Sequence, residues 1–138
     1  MPSGYSGTPL AKKLGVTDDQ RTWRHHMPDA VAEEIARSGV SPALLASPRS
    51  GLEMAHVFVT RRSELSRLLA RLRKHLAPDG TIWVSWPKKS AKVATDFTED
   101  TIREVALPLG FVDVKVCAVD ETWSGLKLVI RKSERGKS

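Results

Sequence analysis

Hydrophobic and polar positions change their period twice in the middle of the chain. Residues 55–60, AHVFVT, form a short apolar run that predicts a strand. The segment APDG at 77–80 predicts a turn, and TIWVSW at 81–86 predicts a second apolar strand. Between these strands the apolar positions repeat at helical spacing, which predicts a helix with one buried stripe: Leu65, Leu68, Leu69, Leu72 and Leu76.

The C-terminal third adds one more helix and a hairpin. Thr98 is the predicted N-cap of a helix whose apolar positions are Ile102, Val105, Ala106 and Leu109. FVDVKVCAVD at 111–120 alternates as a strand does, and LKLVIRK at 126–132 follows after a short polar turn. Two strands joined so closely are expected to run antiparallel.

The N-terminal half gives weaker signals. Thr8 and Pro9 predict a short helix, LAKKL, that ends at Gly15. A second helix is predicted over residues 28–38, because Pro28 opens it and Val31 and Ile35 share one face. The pattern leaves open whether residues 20–26 and 43–46 are strands of the sheet.

Strands that alternate with helices predict an α/β fold with a mostly parallel sheet covered by helices on both faces. We therefore predict a three-layer Rossmann-like domain, a truncated methyltransferase-like sheet with an antiparallel C-terminal strand. The domain is expected to span residues 1–138, with mobile tails at 1–7 and 132–138.

Composition narrows the class of protein but does not name a function. The chain has 138 residues, a formal net charge of +6 and one cysteine, Cys117, which excludes an internal disulfide. The N-terminal residues contain no apolar stretch of the signal-peptide type, and no apolar run is long enough to span a bilayer. We therefore expect a cytoplasmic protein that does not bind membranes.

Two resemblances appear along the chain. Residues 54–131 resemble the second half of a class I S-adenosylmethionine-dependent methyltransferase, from strand AHVFVT to an antiparallel last strand. The motifs SGTPLAKKLG, TIWVSWPKK and VDVKVCAVDETWSGLKLVIR resemble a bacterial family of small proteins known as a domain of unknown function. The first resemblance implies the scaffold, and the second brings no activity with it.

The chain departs from the methyltransferase pattern at two diagnostic places. Those enzymes place a glycine-rich loop after their first strand, whereas this chain has Met27, Pro28 and Asp29. They also offer an acid to the cofactor ribose after their second strand, but the stretch ALLASPRSG has none and Glu53 comes late. These departures argue against cofactor binding on a shared scaffold.

The carboxyl ends of parallel strands meet at one edge of a sheet, where ligands of this fold bind. Three predicted strand ends should converge there, and their polar side chains are the predicted ligand-binding residues: His26, Asp29, Thr60, Arg61, Ser85, Trp86 and Lys88. Such a cleft would suit an anionic or aromatic ligand, with Trp86 stacking on a flat group. Alternatively, Trp86 only packs under the loop 88–97.

No catalytic residue and no metal site are predicted. His25 and His26 are adjacent, and adjacent side chains on a strand point to opposite faces, so they cannot chelate one ion unless the strand breaks. No Walker loop, nucleophile elbow or zinc-protease motif is present.

Three functional hypotheses follow. The first is a non-catalytic protein without cofactor that binds a small anionic ligand or a protein partner at the strand ends. The alternative is a divergent S-adenosylmethionine-dependent methyltransferase with an atypical loop at His26–Asp29. The third is nucleic-acid binding through a cationic stripe formed by Arg67, Arg71 and Lys74.

Overall fold

The computed structural model of the chain describes residues 8–92, 95 and 97–135. Four α-helices and six strands are present among them. The helices are α1 (Leu10–Leu14), α2 (Asp29–Ala36), α3 (Arg62–His75) and α4 (Glu99–Ala106). The strands are β1 (Arg21–His25), β2 (Ala43–Leu44), β3 (Leu52–Phe58), β4 (Leu76–Pro87), β5 (Phe111–Ala118) and β6 (Trp123–Ile130).

The six strands form one sheet in the order β2-β1-β3-β4-β6-β5. Strands β1 to β4 pair in parallel, while β6 runs antiparallel to both β4 and β5. The predicted fold class, a mostly parallel Rossmann-like sheet with an antiparallel C-terminal strand, is confirmed. Both segments that the sequence left open lie in the sheet, as β1 and β2.

Helices cover the two faces of the sheet and make two hydrophobic clusters. On one face α1 and α2 bury Leu14 and Ile35 against Met54, Phe58 and Trp83. On the other face α3 and α4 pack on the alternate residues of the strands, and this is where the predicted leucine stripe is buried: Leu65, Leu68, Leu69, Leu72 and Leu76. The arrangement has three layers, as predicted.

The turn predicted at 77–80 is a bulge within β4 rather than a break before it. Leu52 pairs with Leu76, but the next paired residues are Met54 and Thr81, so four residues of β4 are looped out of register. Pro78 lacks an amide hydrogen for the ladder. At Gly80 a Cβ atom would lie 2.6 Å from Cδ1 of Leu76, which explains why a glycine fits there.

Thr98 caps α4, as predicted, and the cap supports a prediction about stability. The Thr101 amide donates to Oγ1 of Thr98, and the Thr98 amide donates to Oγ1 of Thr101, which makes a reciprocal capping box. Thr98→Ala is expected to lower the free energy of unfolding by about 1 kcal/mol in urea denaturation. Thr98→Ser keeps the acceptor and serves as the control, so equal losses in the two variants would contradict a capping role.

The two predicted mobile tails are described only in part. Residues 1–7 and 136–138, which belong to the predicted mobile tails, are not among the described residues, while Lys132–Glu134 form a short 3-10 helix. Among the described helices, none combines the length and the apolar character that crossing a membrane requires.

Candidate functional site

The carboxyl ends of β1, β3 and β4 lie at one edge of the sheet. His25 is in register with Val57, and Phe58 is in register with Ser85. The Val59 amide donates to the carbonyl of Ser85 at 3.0 Å, so the chain leaves β3 beside the end of β4. The chain runs from β1 outward to β2 and from β3 outward to β4, so this edge contains the topological switch point between β1 and β3.

Strand β1 ends in a left-handed turn that brings two histidines to the same side. His26 has a φ of +55°, a region that residues other than glycine seldom adopt. The His25 and His26 rings stack with 3.9 Å between their centroids. Both rings approach Glu64 in the first turn of α3, with Nε2 of His25 at 3.3 Å and Nδ1 of His26 at 4.0 Å from Oε2.

Five of the seven predicted ligand-binding residues reach the surface of this edge. His26 and Asp29 are exposed, with Asp29 the first residue of α2. Arg61 is exposed and directly precedes α3, while Thr60 and Lys88 are half-buried. The Thr60 carbonyl accepts a hydrogen bond from Oγ1 of Thr95 at 2.7 Å. Their role in binding stays a prediction.

The other two predicted residues lie beneath the surface. The Ser85 side chain is fully buried and is hydrogen-bonded to His56, with 2.7 Å between Oγ and Nε2. Trp86 is 9% exposed and belongs to the same core cluster as Phe97. The alternative interpretation, with Trp86 packed under the loop 88–97, stays a prediction, because residues 93, 94 and 96 of that loop are not among the described residues. Neither side chain presents a free face to a ligand in this conformation.

Sequence reasoning missed two features of this region. Glu64 was not among the predicted ligand-binding residues. It lies in the first turn of α3, and a helix that follows a parallel strand begins at the edge of the sheet where ligands bind. The buried pair of His56 and Ser85 was also missed, because an apolar run such as AHVFVT gives no sign of a polar partner on the next strand. Burial, with a smaller effect of the Arg24 charge, lowers the pKa of His56 from its ordinary 6.5 to about 3.

Glu53, the late acid of the sequence, lies at the opposite edge of the sheet. Its carboxylate accepts a hydrogen bond from the Arg21 amide at 2.9 Å, at the amino end of β1. It therefore cannot contact a cofactor at the carboxyl ends of the strands.

A shallow cavity of about 240 Å³ lies between α2 and β2 and is lined in part by Arg24, Ile35 and Leu44. Its volume is below the roughly 300 Å³ from which small-molecule pockets start.

The cationic residues of α3 are exposed, as predicted, and one of them is held by an aromatic ring. Arg67, Arg71 and Lys74 all face solvent, and the Arg71 guanidinium lies 5.9 Å from the centroid of the Trp23 ring. Nucleic-acid binding through these three residues stays a prediction.

No protein-family model matches the chain, and no curated protein matches it in sequence. The resemblance to the small bacterial family therefore stays a prediction. Solved structures do match. A SAM-dependent methyltransferase from Aquifex aeolicus is 14% identical with a TM-score of 0.60, over 88% of this chain and 87% of that one. Magnesium protoporphyrin IX methyltransferase (ChlM) from Synechocystis PCC 6803, with bound SAM, is 13% identical with a TM-score of 0.55, over 88% and 74%.

A third match has the same fold within a much longer chain. LepI in complex with SAM is 9% identical with a TM-score of 0.55; the match covers 88% of this chain but only 39% of LepI. The TM-scores show that the chain has the same fold, the class I methyltransferase scaffold. At identities this low, the matches show the fold alone. They also correct the first functional hypothesis, a non-catalytic binding protein, in favour of the alternative, because two of these three matched structures are methyltransferases and LepI was solved with SAM.

Proposed function

We propose that the chain is a divergent S-adenosylmethionine-dependent methyltransferase whose cofactor binds at the carboxyl ends of β1 and β3. The observation that supports this most is the strand order, with antiparallel β6 inserted between β4 and β5 and the switch point between β1 and β3. When bound, the cofactor supplies an electrophilic methyl group to a nucleophilic acceptor. We also propose that the chain belongs to the small bacterial family whose motifs it resembles. We expect the protein to act in the cytoplasm.

The residues after β1 fit such a cofactor without a glycine-rich loop. The turn at His26 has the positive φ that glycine usually supplies, so the backbone can bend sharply at the end of the strand. Pro28 precedes α2, whose eight residues begin with Asp29. The positive end of that helix lies next to the turn, and the Asp29 carboxylate in its first turn complements that charge.

The other polar groups at this edge are assigned to the ribose of the cofactor and to the methyl acceptor. No acid follows β2 between Leu44 and Gly51, so we assign the hydroxyl groups of the ribose to the exposed carboxylate of Asp29. Arg61 and Lys88 lie at the ends of β3 and β4, where they would meet an anionic part of the methyl acceptor. These assignments use residues that the sequence singled out for ligand binding.

Binding of the cofactor can be measured without knowing the acceptor. S-adenosylmethionine and S-adenosylhomocysteine should each raise the melting temperature in a dose-dependent manner, because a ligand of the native state stabilises it by about 2.7 kcal/mol at one hundred times its Kd. Asp29→Asn is expected to weaken binding about tenfold, the loss of about one charge-assisted hydrogen bond.

A matched variant controls for the change in net charge. Asp79 is exposed at the amino end of β4, on the far side of the sheet from the proposed site. Asp79→Asn should bind the cofactor as the parent chain does. Absence of any thermal shift at millimolar cofactor would refute the proposed function, and equal losses in the two variants would refute the role of Asp29.

A further inference from the structure

We propose that His25, His26 and Glu64 form a binding site for a divalent transition metal of the zinc type. Among the described residues, these three offer ligand atoms that all lie within 4.8 Å of one another. Two imidazole nitrogens with one carboxylate oxygen form a donor set that zinc and ferrous iron accept. The inference is independent of the proposed function, since it depends on the three side chains and not on the cofactor.

The distances between the ligand atoms are those of a metal site before it closes. Zinc holds nitrogen and oxygen ligands at about 2.0–2.2 Å, so two ligands at tetrahedral corners are about 3.4 Å apart. Nε2 of His25 already lies 3.3 Å from Oε2 of Glu64, and Nδ1 of His26 lies 4.0 Å from the same oxygen. The His26 side chain is 68% exposed, and the remaining shift would move its ring from its stacked position on the His25 ring.

The fold places the two better-buried ligands before any metal arrives. His25 and Glu64 are 19% and 23% exposed, and each belongs to a regular element, β1 or α3. The His25 ring also packs beside the Trp23 ring, with 5.5 Å between centroids. One imidazole and one carboxylate are therefore already held in position, and binding a metal would restrict their side chains little further.

The third ligand depends on the break at the end of β1. In a continued strand His25 and His26 would point to opposite faces, which is the reason the sequence predicted no metal site. The left-handed φ of His26 removes that objection, because it turns the second ring back to stack on the first. The contact between His25 and Glu64 alone does not require His26 to adopt this backbone conformation, which costs of order 1 kcal/mol in a residue other than glycine.

Three protein ligands leave at least one coordination position of zinc open. The three ligands lie where β1 ends and α3 begins, and Thr60 and Arg61 follow β3 at the same edge of the sheet. The ligand expected at the open position is water or an anionic oxygen donor, such as a carboxylate or a phenolate, which a nearby cation would help to hold.

The test uses the untagged full chain after treatment with a chelator and dialysis. Calorimetric titration with zinc chloride should show one site per chain, and cobalt(II) should give the visible absorption bands of a four- or five-coordinate nitrogen-oxygen site. Glu64→Gln and His26→Asn should each weaken zinc binding at least about tenfold, since even residues that only support metal ligands cost 10–100-fold. Asparagine tolerates the left-handed backbone, so His26→Asn removes the ligand and keeps the turn.

Two variants on α3 and α4 serve as matched controls. His75→Gln removes a histidine at the far end of α3, and Glu104→Gln removes an acid that pairs with Arg62 instead. Both should bind zinc as the parent chain does. Absence of one-site binding, or binding that survives Glu64→Gln and His26→Asn, would overturn the site. Zinc binding without any response to S-adenosylmethionine would refute the proposed function alone, and the reverse result would refute the metal site alone.

Discussion

Replacing Trp83 with alanine is expected to lower the free energy of unfolding by about 3–5 kcal/mol, a large share of the 5–15 kcal/mol typical of a domain. The Trp83 side chain is fully buried in the cluster under α1 and α2. Its indole N–H donates to the carbonyl of Leu14 at 2.8 Å, which ties the end of α1 to the centre of the sheet. The neighbouring strand leaves it room, because a Cβ at Gly125 would lie 3.2 Å from Cε3 of the indole.

A second variant separates packing from the hydrogen bond. Trp83→Phe keeps most of the apolar contact but leaves the Leu14 carbonyl without its partner, which should cost about 1–3 kcal/mol. Urea unfolding gives both values, and hydrogen exchange should show α1 (Leu10–Leu14) losing protection in both variants. If Trp83→Ala fails to fold, Trp83→Phe still shows whether α1 depends on the hydrogen bond from Trp83. A loss below 1 kcal/mol in both would mean that α1 does not depend on this anchor.

The parts of the fold that the sequence predicted share a strong local signal. The leucines from Leu65 to Leu72 repeat at helical spacing along α3, although Leu76, the last of the predicted stripe, begins β4. The Thr98 cap depends on neighbours three residues away. The two short strands gave no such signal. β2 has two residues, and β1 carries Arg24 and His25 as well as Trp23, so neither shows an apolar run or a clean alternation. Their pairing in the sheet is a tertiary effect.

The exposed valines of β5 show a second limit of local patterns. The alternation of FVDVKVCAVD predicts one continuous face, but the pairing with β6 shifts register between Asp113 and Lys115. Val114 and Val116 are 53% and 49% exposed, since β5 is the edge strand. A bulge of this kind protects an open sheet edge from pairing with other chains, and the sequence alone does not locate it.

The candidate site was predictable as a place but not as a set of contacts. Parallel strands bring their carboxyl ends to one edge, so Thr60 and Trp86 were expected together, and the adjacent ends of β3 and β4 agree with this. Which side chains remain accessible depends on packing from outside the strand. Trp86 is covered in a cluster that includes Phe97, and His26 faces Glu64 only because the backbone turns left-handed.

Stability is expected to fall steeply with acid because of His56. Its imidazole is buried between Phe58, whose ring stacks at 4.4 Å, and the Ser85 hydroxyl, and the Arg24 charge also opposes protonation. The pKa of His56 is therefore lowered from 6.5 to about 3 in the folded chain. Above pH 6.5 both folded and unfolded chains carry the neutral ring, so no penalty arises there.

Between pH 6.5 and 3 the unfolded chain takes up a proton that the folded chain does not. Each pH unit in that window should cost about 1.4 kcal/mol, which amounts to about 2–3 kcal/mol between pH 7 and pH 4.5. Urea unfolding of the parent chain and of His56→Gln across this range isolates the effect, because the other titrating groups are common to both. Glutamine can place its amide nitrogen near the Ser85 hydroxyl but takes up no proton, so the difference in unfolding free energy should follow this slope. Titration of the His56 ring above pH 5 in the folded chain, followed by NMR, or parallel pH profiles for the two chains, would show that the ring is hydrated and that this part of the sheet is less tightly packed than its geometry implies.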